Sequence, residues 1–171
     1  MNYAENFKTE LMSWLYKNGF YTVESLEFDS NFKYNLPEHI IYIGIKIEPD
    51  ISDCFEKYLD GLNFQFEDVP AQVLAFLHEL GHSQTIYDFS QDELMSFYFE
   101  KVTGTIIIDS SPEKEEQAKF KYWNVADERA ANEWLVNFTN THTEAFFELC
   151  ALYTDCWNAL CAHTDVYNLI N

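Results

Sequence analysis

The chain has 171 residues, with 29 acidic and 10 basic side chains and a formal net charge of −19. That length suits one domain with a substantial core, and apolar and aromatic contents of 47% and 18% exclude a disordered acidic tail. No apolar run nears the roughly 18 residues of a membrane span, and the first residues lack the basic flank and apolar stretch of a secretory signal. A field of this sign repels nucleic-acid phosphates and attracts cations and basic proteins. The expectation is a cytoplasmic domain with no direct nucleic-acid or membrane partner.

Apolar residues at helical spacing (Phe7, Leu11, Trp14, Leu15) predict a helix from about Tyr3 to Lys17, stopped by Asn18-Gly19. A strand is expected over Tyr21–Phe28, and the clearest one over His39–Ile47, where Ile41, Ile43, Ile45 and Ile47 alternate. Residues 51–60 read as a short helix. Asp68 or a neighbour caps the next, with Pro70 in its first turn, over Ala71 to about Thr85. Ser90-Gln-Asp-Glu93 has the form of a capping box for a helix to Lys101. Gly104–Ile108 is a brief strand candidate, and Ser110-Ser-Pro opens a region helical almost to the end, with breaks near Trp123 and at 137–143. The fold class expected is α+β: a mostly helical domain spanning 1–171, with a small sheet beside the central helix.

Cys54, Cys150, Cys156 and Cys161 are expected as reduced thiols packed in the core. Cys156, Cys161 and His163 match no common zinc spacing. His39 and His163 are expected to be structural or exposed.

The chemistry concentrates in His78-Glu79-Leu80-Gly81-His82. Histidines four apart on a helix stand one turn above the other on one face, where both imidazoles can hold Zn²⁺. The glutamate after the first lies beside that face and can take a proton from water on the metal. Val73, Leu74, Phe76, Leu77 and Leu80 supply a buried side, while Ala71 and Ala75 leave room above a metal. The bland alternative, a core helix carrying this trio without a metal, leaves polar groups in need of partners.

A third ligand is required. Asp88 falls where HExxHxxGxxH would end, but Thr85 replaces the glycine that would bend the chain toward the metal. The favoured candidate is Glu128, in Glu128-Arg-Ala-Ala-Asn132, because Glu128 and Asn132 share a helix face and Asn132 can brace a ligand histidine. Glu93, Glu100, Asp127 and Glu133 remain rivals. This pair of motifs resembles the ImmA/IrrE family of gluzincin-type zinc metallopeptidases, specifically at HELGH and more loosely at the second motif, over roughly residues 40–138. Ala130 stands where that family carries a second Glu, and the spacing from His82 to Glu128 is longer, as if by an inserted helix.

The resemblance implies a zincin-like metallopeptidase domain. His78, His82 and Glu128 would be the metal ligands, Glu79 the general base and Asn132 the polar residue behind them. It also implies endopeptidase activity on a protein, with helix-turn-helix repressors among the substrates. The acidic surface favours a basic substrate, and the strand at 40–47 is expected to bind it at a sheet edge. His142 and Glu144 are candidates for a transition-state donor and its partner, against the plainer role of a capped start at Thr141–Glu144. Tyr122 and Tyr87 are candidate oxyanion donors, and Arg129 is expected to pair with Glu133. The rival reading is an acidic binding protein, a DNA mimic or a trap for a basic partner, with a structural or vestigial zinc site. A different zinc hydrolase is a lesser alternative, since the glycine-rich and cysteine motifs of peptide deformylases are missing.

Overall fold

The structure is a computed structural model that describes residues 2–46, 49–104 and 111–170. Helix α1 (Tyr3–Lys17) is capped by the Asn2 side chain and buries Phe7, Leu11, Trp14 and Leu15. Three short strands follow: β1 (Ser25–Asp29), β2 (Lys33–Asn35) and β3 (Ile40–Gly44). They are succeeded by α2 (Pro49–Asp60), α3 (Ala71–Thr85), α4 (Gln91–Gly104), α5 (Pro112–Trp123), α6 (Ala126–Thr141), α7 (Thr143–Leu152) and α8 (Asn158–His163). The domain is mostly helical with a small sheet, as its composition and periodicity indicate.

The strand order is β1-β3-β2, with β1 parallel and β2 antiparallel to β3. Ile41 lies between Leu26 and Tyr34, and Ile41 and Ile43 turn fully into the core. This arrangement corrects the expected substrate edge. The isoleucine-rich strand is central because its alternating face is buried, and its polar backbone is paired on both sides. The edge nearer α3 is β2, a segment too short and polar to carry a strand pattern of its own. Gly44 closes β3 where a β-carbon would sit 2.6 Å from the backbone nitrogen of Phe32, so glycine lets the 31–32 turn fold tightly over the strand end.

The first predicted strand begins later than expected, at Ser25 rather than Tyr21, and the isoleucine strand ends at Gly44. Ile45 continues only as far as a bond from its N–H to the Asp29 carbonyl, and Ile47 lies outside the described residues. So does the strand candidate at 105–108, while Gly104 ends α4. The cap of α3 also differs. Asp68 adopts a left-handed backbone, and the chain enters the helix through Pro70, whose carbonyl receives Val73 N–H without any side-chain cap. The capping box of α4 forms as expected: Ser90 and Glu93 exchange side chain-to-backbone bonds. Ser111 caps α5. Among the described residues no helix is long and apolar enough to cross a membrane.

Helix α3 is the structural axis. Val73, Leu74, Phe76, Leu77 and Leu80 are all buried, each at 1% exposure or less; Trp14 of α1 packs edge-on to Phe76, and α6 and the sheet cover the helix. Its closest neighbour is α6, and Gly81 marks the crossing. A β-carbon there would lie 2.6 Å from the Ala131 carbonyl oxygen and 3.0 Å from the Ala131 α-carbon. Two small residues thus let two helix backbones touch. The cysteines are less buried than expected: Cys54, Cys150 and Cys156 are half-buried and Cys161 is exposed, all as free thiols, while the C-terminal helices turn Phe146, Leu149 and Leu160 into the core instead.

Candidate metal centre

The α3–α6 contact brings His78 and His82 to Glu128. One ligand atom from each of the three lies within 4.8 Å of the others. Glu128 Oε2 is 3.1 Å from His78 Nε2 and 3.5 Å from His82 Nε2. The two rings pack edge to face, with centroids 4.7 Å apart, as the one-turn offset of i and i+4 requires. Glu128 itself is 3% exposed, in the first turn of α6, where the helix dipole favours a carboxylate.

Two of the three, His78 and Glu128, are held from behind. Asn132, fully buried one turn after Glu128, places its amide oxygen 2.7 Å from His78 Nδ1. This makes Nδ1 the ring nitrogen that donates, and it turns Nε2 toward Glu128. Phe55 stands edge-on to the same imidazole at 5.8 Å. The second oxygen of Glu128, Oε1, accepts from Lys101 Nζ at 2.8 Å and from the Tyr122 hydroxyl at 3.1 Å. Lys101 also donates to Asp127 Oδ2 at 2.7 Å.

These contacts perturb the titrating groups strongly. Burial works against the Glu128 carboxylate, but the hydrogen bonds and charge of His78 and His82 hold it far below the usual range. Burial likewise opposes a charged His78, yet Glu128 raises it to about 9. Lys101 is raised because the carboxylates of Glu128 and Asp127 outweigh its desolvation. Desolvation and the adjacent Glu128 charge push the Tyr122 hydroxyl well above the ordinary tyrosine value. Without a metal, the cluster is an ion-paired set in which one buried carboxylate is balanced by cations.

The donors could hold a metal ion: two imidazole nitrogens and one carboxylate on two packed helices, with hydrogen bonds behind His78 and Glu128. They open on a cleft of about 730 Å³ whose lining includes Glu79, Ala71, Ala75, Tyr34 and Lys33. The two alanines leave the expected space. Glu79 is half-buried on the cleft wall, one residue from a ligand.

The rival ligands are placed elsewhere. Asp88 is exposed in a 3₁₀ turn after α3, and Glu100 is exposed on α4. Glu93 is spent on the α4 cap. Glu133 pairs with Arg129 on the outer face of α6 at 2.7 Å, as expected. Asp127 lines the cleft but turns to Lys101.

His142 does not join the site. It follows the C-terminus of α6, about 20 Å along the helix from Glu128 at 1.5 Å per residue, where it stacks on Phe138 and bonds Thr141. Glu144 is exposed at the same end. The capping box at Thr141–Glu144 also fails to form, because the Thr141 hydroxyl donates back to Asn137 O. Tyr87 is exposed and bonds His39, and His163 is exposed and stacks on Tyr3. Of the two tyrosines only Tyr122 reaches the cleft.

Sequence reasoning missed Lys101 and β2. The bond from Lys101 spans 27 positions to Glu128, and no local pattern announces it. The cleft is also less acidic than the chain, with Lys33, Lys46 and Lys101 beside Glu79, Asp127 and Glu128. The chain matches no protein-family model, no curated protein and no solved structure.

Proposed function

We propose that this protein is a zinc-dependent endopeptidase acting on a protein or peptide. The observation that carries the reading is the juxtaposition of His78, His82 and Glu128 within 4.8 Å, on the wall of a cleft that also holds Glu79. A zinc ion bound there supplies Lewis acidity toward the scissile carbonyl and makes water more acidic.

The chain's own residues do the rest. His78, His82 and Glu128 hold the ion, and Asn132 keeps the first imidazole in its donating orientation. The Glu79 carboxylate takes the proton from the attacking water and returns it to the departing amine. The substrate adds as an extended strand to the outer edge of β2, which lines the cleft through Lys33 and Tyr34. The net charge of −19 draws basic proteins to the surface, whereas the balanced cleft exerts little charge selection of its own. The pattern HELGH followed by Glu-x-x-x-Asn supports placing the protein near the ImmA/IrrE peptidases, with a repressor-like substrate.

The test is Glu79→Gln, read by zinc content and by hydrolysis of a mixed quenched-fluorescent peptide library. The variant is expected to keep stoichiometric zinc and lose at least about 100-fold in rate, the usual contribution of a general base. Undiminished hydrolysis by the variant, or wild-type protein that takes up no zinc, would overturn the proposal. A wild type that binds zinc without cleaving any peptide would favour the acidic binding protein.

A further inference from the structure

Helix α4 lies between the two halves of the motif, and most of it is uninvolved in the core. None of its residues is buried, and Met95, Tyr98 and Phe99 are more than half exposed. Lys101, near its C-terminal end, is the exception. Its side chain is only 18% exposed and reaches across to the first turn of α6. There the ammonium meets two carboxylates at once, Asp127 Oδ2 at 2.7 Å and Glu128 Oε1 at 2.8 Å.

Glu128 therefore presents its two oxygens to different partners. Oε2 faces both imidazoles, while Oε1 is occupied by the ammonium and the Tyr122 hydroxyl. Asp127 Oδ1 has no hydrogen-bond partner among the described residues, so the bond that Lys101 Nζ donates to Oδ2 is the polar anchor of a side chain buried beside the ligand. A carboxylate can bind a cation through one oxygen or two. Here the second oxygen is already engaged by two donors.

We propose that Lys101 is a positioning residue that confines Glu128 to single-oxygen coordination, with Asp127 aiming the ammonium. This rests on the metal-centre reading above and goes beyond it, since no part of the HELGH or Glu-x-x-x-Asn pattern includes Lys101 or Asp127. Two effects follow. Single-oxygen binding keeps the coordination number low and leaves a position open for substrate. The nearby positive charge draws electron density from the ligand, so the site holds its ion less tightly and leaves it more electrophilic.

The experiment loads wild type, Lys101→Met, Lys101→Arg and the charge-balanced double variant Lys101→Met/Asp127→Asn with Co²⁺, and records the visible spectrum. Zinc affinity is measured in parallel by chelator competition. The wild type is expected to show the intense band of a four-coordinate ion. Lys101→Met should show the weaker band of a higher-coordinate ion and bind zinc about tenfold more tightly, an effect of the size outer contacts carry but of opposite sign, because this contact withdraws charge from the carboxylate. Lys101→Arg should restore both properties. The double variant replaces the buried pair with neutral groups and is the one to read if Lys101→Met fails to fold. It should keep the altered spectrum with an affinity near that of wild type.

Wild-type spectra and affinities in all variants would overturn the inference and leave the metal centre standing. Weaker zinc binding by Lys101→Met with an unchanged spectrum would reduce Lys101 to a structural contact, and so overturn the inference as well. A wild type that binds neither ion would overturn the metal centre itself.

Discussion

Substituting Gly81 by alanine separates two opposing expectations. Within an ordinary helix interior, alanine is better than glycine by about 1 kcal/mol, so a freely exposed Gly81 would be a stabilising site. Gly81 is instead buried against α6, and the added β-carbon would stand 2.6 Å from the Ala131 carbonyl oxygen and 3.1 Å from its carbonyl carbon. Restoring ordinary contact requires the helices to part by about 0.8 Å, and the obstructing atoms are backbone rather than a movable side chain. Overpacking of this kind costs about 1–3 kcal/mol.

The same separation acts on the proposed ligands, since His78 and His82 ride on α3 and Glu128 on α6. A shift of 0.8 Å is large beside the ±0.2 Å tolerance of metal–ligand distances, so zinc affinity should fall as well. The assay is urea denaturation of metal-free protein, paired with zinc titration against a chelator. Gly81→Ala is expected to lose both stability and affinity. A variant at least as stable as wild type, with unchanged affinity, would refute the claim that the glycine of HELGH is required by the helix crossing.

Asn132→Leu removes the acceptor 2.7 Å from His78 Nδ1 and should weaken zinc binding by about 10–100-fold, while Asn132→Asp, which keeps an acceptor oxygen, should lose less. Equal affinities for wild type and the leucine variant would show that His78 needs no bracing. The metal-free protein should also depend on pH in a defined direction. With His78 raised from 6.5 to about 9 by Glu128, the pair's stabilisation is fully present below the ordinary histidine value and is lost as pH rises through about 9, on the order of 3 kcal/mol. The depressed Glu128 adds the converse limit, a loss as pH falls from the ordinary carboxylate value. Denaturation with a chelator at about pH 6 and about pH 10 checks the upper limit, where His78→Gln should flatten the difference. A wild type equally stable at both would contradict the pairing.

Some of this protein was legible without coordinates because the relevant physics is local. The boundaries of α1 and α3 follow from apolar spacing and stop signals, and the stacking of His78 over His82 follows from helical pitch alone. Asn132 behind Glu128 is the same i, i+4 relation on a second helix. Where a reading depended on what a segment packs against, local pattern misled. The isoleucine strand seemed suited to an edge, yet its apolar face makes it the centre, and the polar Lys33–Asn35 segment forms the edge instead. His142 follows Glu128 in the chain but is carried a helix length away from it. Asp68, a plausible cap by residue type, takes a left-handed backbone, and Pro70 occupies the cap position instead.

The sequence by itself determined the net charge of −19, the helical class and the placement of His78, Glu79 and His82 on one helix, because each is a property of composition or of a single helix. Which carboxylate meets the histidines, and which of 10 cations meets that carboxylate, was decided only by the crossing of α3 and α6 and by the reach of α4. Those contacts span 46 and 27 positions in the numbering. Charges so far apart along the chain become neighbours only when packed backbone fixes their distance.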